Sequence, residues 1–332
     1  MLKLLTALSL AFVLTALVTP LVIILAKRLK LRQTVLHYVD NHASKSGTPT
    51  MGGIGFVLVG SILTLIFTKG QRELTLMLVL LTLGFGAIGF LDDFIKVFFK
   101  QNEGLKPWQK IIFQVAVSII IAVFAYRNEA VGDNIYLPFT LSKISLGVFA
   151  IPFYAFVFLA FTNAVNLTDG LDGLAGKSSL TYLLFFSATI AIITYTFGLS
   201  AVATKENEGL LVFCACFIGA IGGFLLFNSY PAVIFMGDTG ALALGGALSG
   251  LAVMSGLSLL APIIGVVFVL TCISDIIQVL HYKRTKKRVF KMAPFHHHLE
   301  RCGFHENKIV TGYTLVTVVF GALSLILMLI FA

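Results

Sequence analysis

The sequence predicts an all-α integral membrane protein of about ten transmembrane helices, and three observations carry that prediction. Of the 332 residues 58% are apolar and only 12% are charged, with a mean hydropathy of +0.97, so a soluble fold would lack the polar surface to cover itself. Apolar runs near the roughly 20 residues that cross a bilayer recur along the chain and are apolar all round rather than along one stripe. Basic residues gather in alternate loops between those runs. Spacing and hydropathy reveal no internal duplication and no low-complexity linker, so residues 1–332 read as a single polytopic domain.

In order, the spans are read at 4–26, 52–68, 74–91, 108–126, 147–164, 178–198, 209–227, 240–256, 260–280 and 310–331. The first run, Leu4 to Ala26, exceeds a signal-peptide core, lacks an A-x-A cleavage site and ends in Lys27-Arg28-Leu29-Lys30, so it is retained as the first helix. Gly84, Gly86 and Gly89 in the third span, and Gly245, Gly246 and Gly250 in the eighth, suit close helix packing. The connection near 127–146 carries Asp133-Asn134-Ile135-Tyr136-Leu137-Pro138 and then an apolar-polar alternation, which predicts a short external β-hairpin. Loops 27–50, 92–110, 165–177, 228–239 and 281–309 fall on one side and hold 18 of the 24 Lys and Arg. That side is therefore cytoplasmic, and both termini lie outside.

The net charge of +9 comes without a basic arm or recognition module, so it reports loop orientation and an anionic leaflet or substrate rather than nucleic acid. Cys214, Cys216, Cys272 and Cys302 form no CxxC pair, and three of them lie in apolar runs as small apolar fillers. No disulfide framework is implied.

Chemistry-bearing residues gather on the cytoplasmic face, where ten of the fifteen acidic residues lie on or near the loops. Asp92 and Asp93 close the third span, where adjacent carboxylates call for a compensating cation. The stretch from Asn163 to Gly173 holds Asn166, Asp169 and Asp172; the two aspartates share a face if the segment is helical, while its glycines permit an irregular turn beside a polar cavity. Asp238 stands between Gly237 and Thr239-Gly240 where the eighth helix opens, so backbone can approach a ligand closely. Hard oxygen donors of this kind suit magnesium, whose octahedron is completed by substrate phosphates and water. An Asp opening a helix also caps it, but five carboxylates in three loops on one face exceed what capping needs.

Cations for phosphate are present as well. Lys45 lies in a Gly- and hydroxyl-rich loop that suits a diphosphate, and Lys96 and Lys106 follow the Asp92-Asp93 pair in sequence. Each alone could be only a solvated topology determinant. His296, His297 and His298 could be set beside Glu300 as zinc ligands, but adjacent ligands on one short segment lack the usual spacing, so phosphate donors or proton handlers are favoured. The basic run Lys283 to Arg288 faces the leaflet.

The motifs KSGTPTMGG (Lys45 to Gly53), Leu91-Asp92-Asp93-Phe94, NLTDGLDG (Asn166 to Gly173), Met236-Gly237-Asp238-Thr239-Gly240 and PFHHHLE (Pro294 to Glu300) occur in that order. Along essentially its whole length the chain resembles the phospho-N-acetylmuramoyl-pentapeptide transferase family, within the polyprenyl-phosphate N-acetylhexosamine-1-phosphate transferases. The resemblance implies that UDP-N-acetylmuramoyl-pentapeptide and undecaprenyl phosphate react, with magnesium, to give lipid I and UMP. It implies ten helices, a homodimer and a site on the cytoplasmic face of the bacterial inner membrane. It further implies Asp238 as the magnesium ligand, Asp92 and Asp93 as the pair handling the acceptor phosphate, and Phe235 as the aromatic on uracil. Asn166, Asn228, Asp169, Asp172, Lys45 and Gln278 would line the nucleotide pocket, His296, His297 and His298 the diphosphate or sugar, and Lys96 and Lys106 would contact phosphate.

Without the resemblance, Phe235 reads as an interfacial aromatic and Gln278 as a helix-to-helix bond. The mechanism expected is phosphoryl transfer by positioning and charge neutralisation, with in-line attack by the lipid phosphate after Asp92 or Asp93 takes its proton. A two-step route through an aspartyl-phosphate stays open. Two alternatives are a related N-acetylglucosamine-1-phosphate transferase and a secondary transporter, whose coupling sites would sit near the midplane of repeated halves.

Overall fold

The computed structural model describes residues 1–29, 31, 47–69, 72–99, 104–140, 142–196 and 201–331, the side chains of 201 and 202 excepted. In order they form α1 (Leu2–Arg28), α2 (Gly53–Thr68), α3 (Glu73–Phe98), α4 (Pro107–Arg127), a hairpin of β1 (Asn134–Tyr136) and β2 (Lys143–Ser145), then α5 (Ala150–Thr168), α6 (Leu174–Thr196) and α7 (Ala201–Asn228). The chain continues through α8 (Gly237–Met254), α9 (Ala261–Ile264), α10 (Val266–Thr285), α11 (Phe295–Arg301) and α12 (Glu306–Phe331). Eight helices among the described residues are long and apolar enough to cross a membrane, and α2 and α8 occupy the sequence of two further predicted spans. The molecule is a helical, multi-pass membrane protein.

Helix α8 is the centre: every residue from Thr239 to Met254 is buried, chiefly between α3 and α5. Small residues make that possible, because apolar surface gains nothing by leaving lipid and helices associate through close van der Waals approach. Gly89 of α3 decides where the two helices meet, since a Cβ there would lie 2.1 Å from the Asp238 carbonyl oxygen. Elsewhere α1 turns its buried Ala7, Ala11 and Thr15 toward α7, where a Cβ on Gly219 would come within 2.1 Å of the Leu8 carbonyl. The outer faces of α1 and α12 keep large exposed apolar side chains such as Leu17, Leu21, Leu323 and Leu329, as lipid contact requires.

Strands β1 and β2 pair antiparallel with Ile135 opposite Ile144, so the predicted hairpin forms; the Tyr136 N–H donates to the Gly256 carbonyl (2.9 Å) and docks it on the turn after α8. Three departures from the sequence reading bear on the site and its surroundings. Helix α3 does not stop at 91 but runs to Phe98, which puts Asp92, Asp93 and Lys96 inside a helix rather than in a loop. The ninth span is broken at Gly265, where Pro262 opens α9 and the backbone leaves helical geometry before α10. Asp169 and Asp172 do not share a helix face: α5 ends at Thr168, Asp169 leaves helical geometry, and Gly173 takes a φ of +73°.

Candidate active site

One end of the bundle gathers the C-terminal turns of α3 and α5 with the opening turns of α4 and α8. Asp93 ties α3 to α8, because its carboxylate accepts from the Asp238 N–H (3.2 Å), the Thr239 N–H (2.9 Å) and the Thr239 hydroxyl (2.7 Å). These backbone donors have no partner within their own helix, so a carboxylate from α3 caps α8. Gly237 adopts a φ of +74°, and a Cβ there would lie 2.7 Å from the Asp93 carboxylate, so the turn into α8 closes over Asp93 only with glycine.

The cap delivers Asp238 onto two cations. Lys96, one turn after Asp92 on α3, places Nζ 2.8 Å from Asp238 Oδ2 and 2.6 Å from Asp92 Oδ2. Lys110, in the first turns of α4, reaches the same Asp238 oxygen at 3.0 Å and lies 3.9 Å from Asp92. Asn166 of α5 donates to the other oxygen, Oδ1, at 2.8 Å. Asp92 Oδ1 accepts from the Leu105 N–H (2.8 Å), which ties the residues just before α4 to the end of α3. One turn deeper, the buried Gln114 of α4 and Asn163 of α5 exchange amide hydrogen bonds at 2.8 and 3.4 Å, fixing the spacing of the helices that carry Lys110 and Asn166.

Oxygens of Asp92, Asp93 and Asp238 lie within 4.8 Å of one another. Three hard anionic donors that close, with one carboxylate only partly enclosed, fit a divalent cation such as magnesium, which takes one or two carboxylates and leaves positions for phosphate oxygens and water. Asp169 lies just outside α5 beside this cluster. Burial, and then the carboxylates of Asp238, Asp93 and Asp172, push its carboxyl well above the usual range.

A model of glycosyl transferase family 4 matches residues 75–256, from the first turn of α3 to the turn after α8. The phospho-N-acetylmuramoyl-pentapeptide-transferase of Clostridium novyi (strain NT) is 42% identical over 322 residues, covering 96% of this chain and 95% of its own. That of Thermoanaerobacter sp. (strain X514) is 44% identical over 324 residues, covering 97% and 98%. That of Clostridioides difficile (strain 630) is 42% identical over 317 residues, covering 95% of both. The chain belongs to the phospho-N-acetylmuramoyl-pentapeptide-transferase family.

In this family member the remaining motifs form a second layer around the carboxylates. Asp172 Oδ2 accepts from the Ala232 N–H (3.0 Å), and the Asp172 N–H donates to Glu306 Oε1 (2.6 Å) at the start of α12, so the 169–173 turn is laced to the segment before α8 and to the last helix. Helix α11 presses on the same turn: a Cβ on Gly170 would lie 2.3 Å from His296 Nε2 and 3.0 Å from His297 Nε2. His296 is fully buried with neither ring nitrogen hydrogen-bonded, and burial, then His297, push its pKa down to about 3. His297 Nδ1 meets Glu300 at 2.6 Å, while His298 Nδ1 accepts from the Lys291 N–H at 3.1 Å. The three imidazoles thus face different partners.

Other expected residues are placed differently. Lys106 is exposed at the start of α4, its N–H donating to Gln109 (3.0 Å), and Lys110 one turn later occupies the site instead. Gln278 anchors the basic loop of residues 286–291, accepting from the Val289 and Phe290 N–H groups (3.1 and 3.0 Å) and donating to the Phe290 carbonyl (3.3 Å). Asn228 is buried and donates to the Ile234 carbonyl (2.9 Å), holding the turn that presents the half-buried Phe235. Lys45 lies outside the described residues.

Lys110, Thr239 and Glu306 were not expected from sequence. Lys110 did carry a signal, because a cation in the opening turns of a membrane helix opposes the helix dipole and needs a compensating anion.

Proposed function

We infer that the protein transfers phospho-N-acetylmuramoyl-pentapeptide from UDP-N-acetylmuramoyl-pentapeptide to undecaprenyl phosphate, giving lipid I and UMP. The observation that carries this is the convergence of three carboxylates and two ammonium groups at one end of the bundle, in a chain that matches transferases of that name from end to end. The protein works as a single-domain homodimer with ten spans in the bacterial inner membrane, its termini outside and its site on the cytoplasmic face, the side where 18 of 24 Lys and Arg lie.

Asp238 would hold the magnesium ion, and the bound ion would supply Lewis-acid neutralisation of the donor diphosphate. Lys96 and Lys110 pair with the phosphate oxygens around which charge spreads in the transition state. Asp93 is spent on the opening of α8, so its role is to aim Asp238 rather than to move a proton. Asp92 keeps Oδ2 turned to the lysines and receives the acceptor's proton. An oxygen of the lipid phosphate then bonds to the sugar-bearing phosphorus, and the bond to the departing UMP breaks with its electron pair. Asp169, Asp172, Asn228, Phe235 and Lys45 shape the nucleotide side, and the His296–His298 helix holds the sugar side against the 169–173 turn.

Rate measurements with magnesium and undecaprenyl phosphate, comparing UDP-N-acetylmuramoyl-pentapeptide with UDP-N-acetylglucosamine, test the assignment. UMP release that needs all three components and prefers the first donor is expected; preference for the second donor would move the chain to the N-acetylglucosamine branch. One equivalent of UMP released in a burst without lipid acceptor would replace direct attack by an aspartyl-phosphate route.

A further inference from the structure

Asp238 Oδ2 is held by two ammonium groups at once, Lys96 at 2.8 Å and Lys110 at 3.0 Å, although these come from different helices. Asp92 shares the first at 2.6 Å. With all three carboxylates ionised, three negative and two positive charges leave the cluster one short of neutrality. A dication entering alone would be driven against two lysines that already occupy its ligand. A diphosphate entering alone would meet a net negative cluster whose cations are engaged with Asp238.

We propose that Lys96 and Lys110 are exchangeable counter-ions of Asp238, so that the divalent cation and the nucleotide diphosphate bind with strong positive coupling. Resting on the transferase reading above, the proposal says how its two ligands are admitted. When the cation takes the Asp238 oxygen, the two ammonium groups are displaced from it and turn to the phosphate oxygens that arrive with the donor; +2 and about −2 enter together and the cluster's net charge is restored. Long lysine stems allow that exchange without helix movement: both lysine side chains are part-exposed, whereas Asp92 is buried and Asp93 is fixed by three hydrogen bonds. The geometry also keeps the carboxylates paired when no substrate is present, which an uncompensated acidic cluster in a membrane helix would not tolerate.

Manganese binding, followed by electron paramagnetic resonance on the purified full-length protein in lipid nanodiscs, tests this with UDP as the diphosphate probe. In wild type UDP should tighten manganese, and manganese should tighten UDP, by the same factor of about 10-fold or more. Lys110→Gln and Lys96→Gln should each bind manganese several-fold more tightly than wild type without UDP, bind UDP more weakly, and reduce the coupling to about twofold or less. Circular dichroism and thermal melting check that each variant is folded, and either variant suffices. Independent binding of the two ligands to wild type, or full coupling in both variants, overturns the counter-ion proposal while leaving the transferase reading intact. If wild type binds neither manganese nor UDP, the transferase reading falls and this inference with it.

Discussion

Asp238 is met at one oxygen by Lys96 and Lys110 and at the other by Asn166, and its own N–H is bound by Asp93. Replacing Asp238 by Asn keeps the size and the Asn166 contact possible but removes the charge that a cation and two lysines need. Turnover should fall by on the order of 100-fold or more, with helical content unchanged by circular dichroism. His296 supports a second prediction. Its ring is buried and neutral, with its pKa down to about 3 against 6.5 in the unfolded chain, so the unfolded state binds a proton that the folded state refuses. Its contribution is fully present above about pH 6.5 and is lost as pH falls toward 3. Thermal melting should therefore drop between pH 7 and 5 more steeply in wild type than in His296→Leu. The aspartate positions were legible because charge in apolar sequence is costly and conspicuous. Lys110 was harder to single out, because one lysine among 18 basic residues in alternate loops looks like topology, and Glu306 was not legible, because its partner is the backbone of Asp172, more than a hundred residues away.

At the scale of elements, the meeting of α3 and α8 sets the site. Gly89→Ala would put a methyl 2.1 Å from the Asp238 carbonyl oxygen, a clash relieved only by moving one helix away from the other. The variant should lose about 1–3 kcal/mol in reversible unfolding, and activity further than that loss explains, because Asp92 and Asp93 move away from Asp238. An Ala at Gly84, whose added methyl would meet only a Val117 side chain at 3.1 Å, is the control expected to keep activity. Most helix positions were readable from run length, and the hairpin from its polar start and alternation. What escaped was set by packing: α3 continues through two aspartates to Phe98 because α8 and the lysines neutralise them, a partner that run-length hydropathy does not see. Likewise the 169–173 turn is shaped by α11 and α12, far away in sequence.

For the whole molecule, the clustering of the aspartate motifs at one end and the one-sided distribution of basic loops make a single statement about sidedness. Cys302 lies exposed on the turn from α11 to α12 at the same end, whereas Cys214 and Cys216 are buried. A membrane-impermeant maleimide should label Cys302 in inverted vesicles and leave it untouched in intact cells; the reverse pattern would put the carboxylates outside. The central claim, that this face passes a phospho-sugar from a water-soluble nucleotide to a lipid phosphate, is tested most directly in proteoliposomes given donor labelled in its sugar. The account predicts label entering the lipid phase in one-to-one ratio with UMP, only with undecaprenyl phosphate present and only at the face bearing Cys302. Labelled donor carried intact into the vesicle lumen, or UMP released with no lipid-linked sugar, would contradict it.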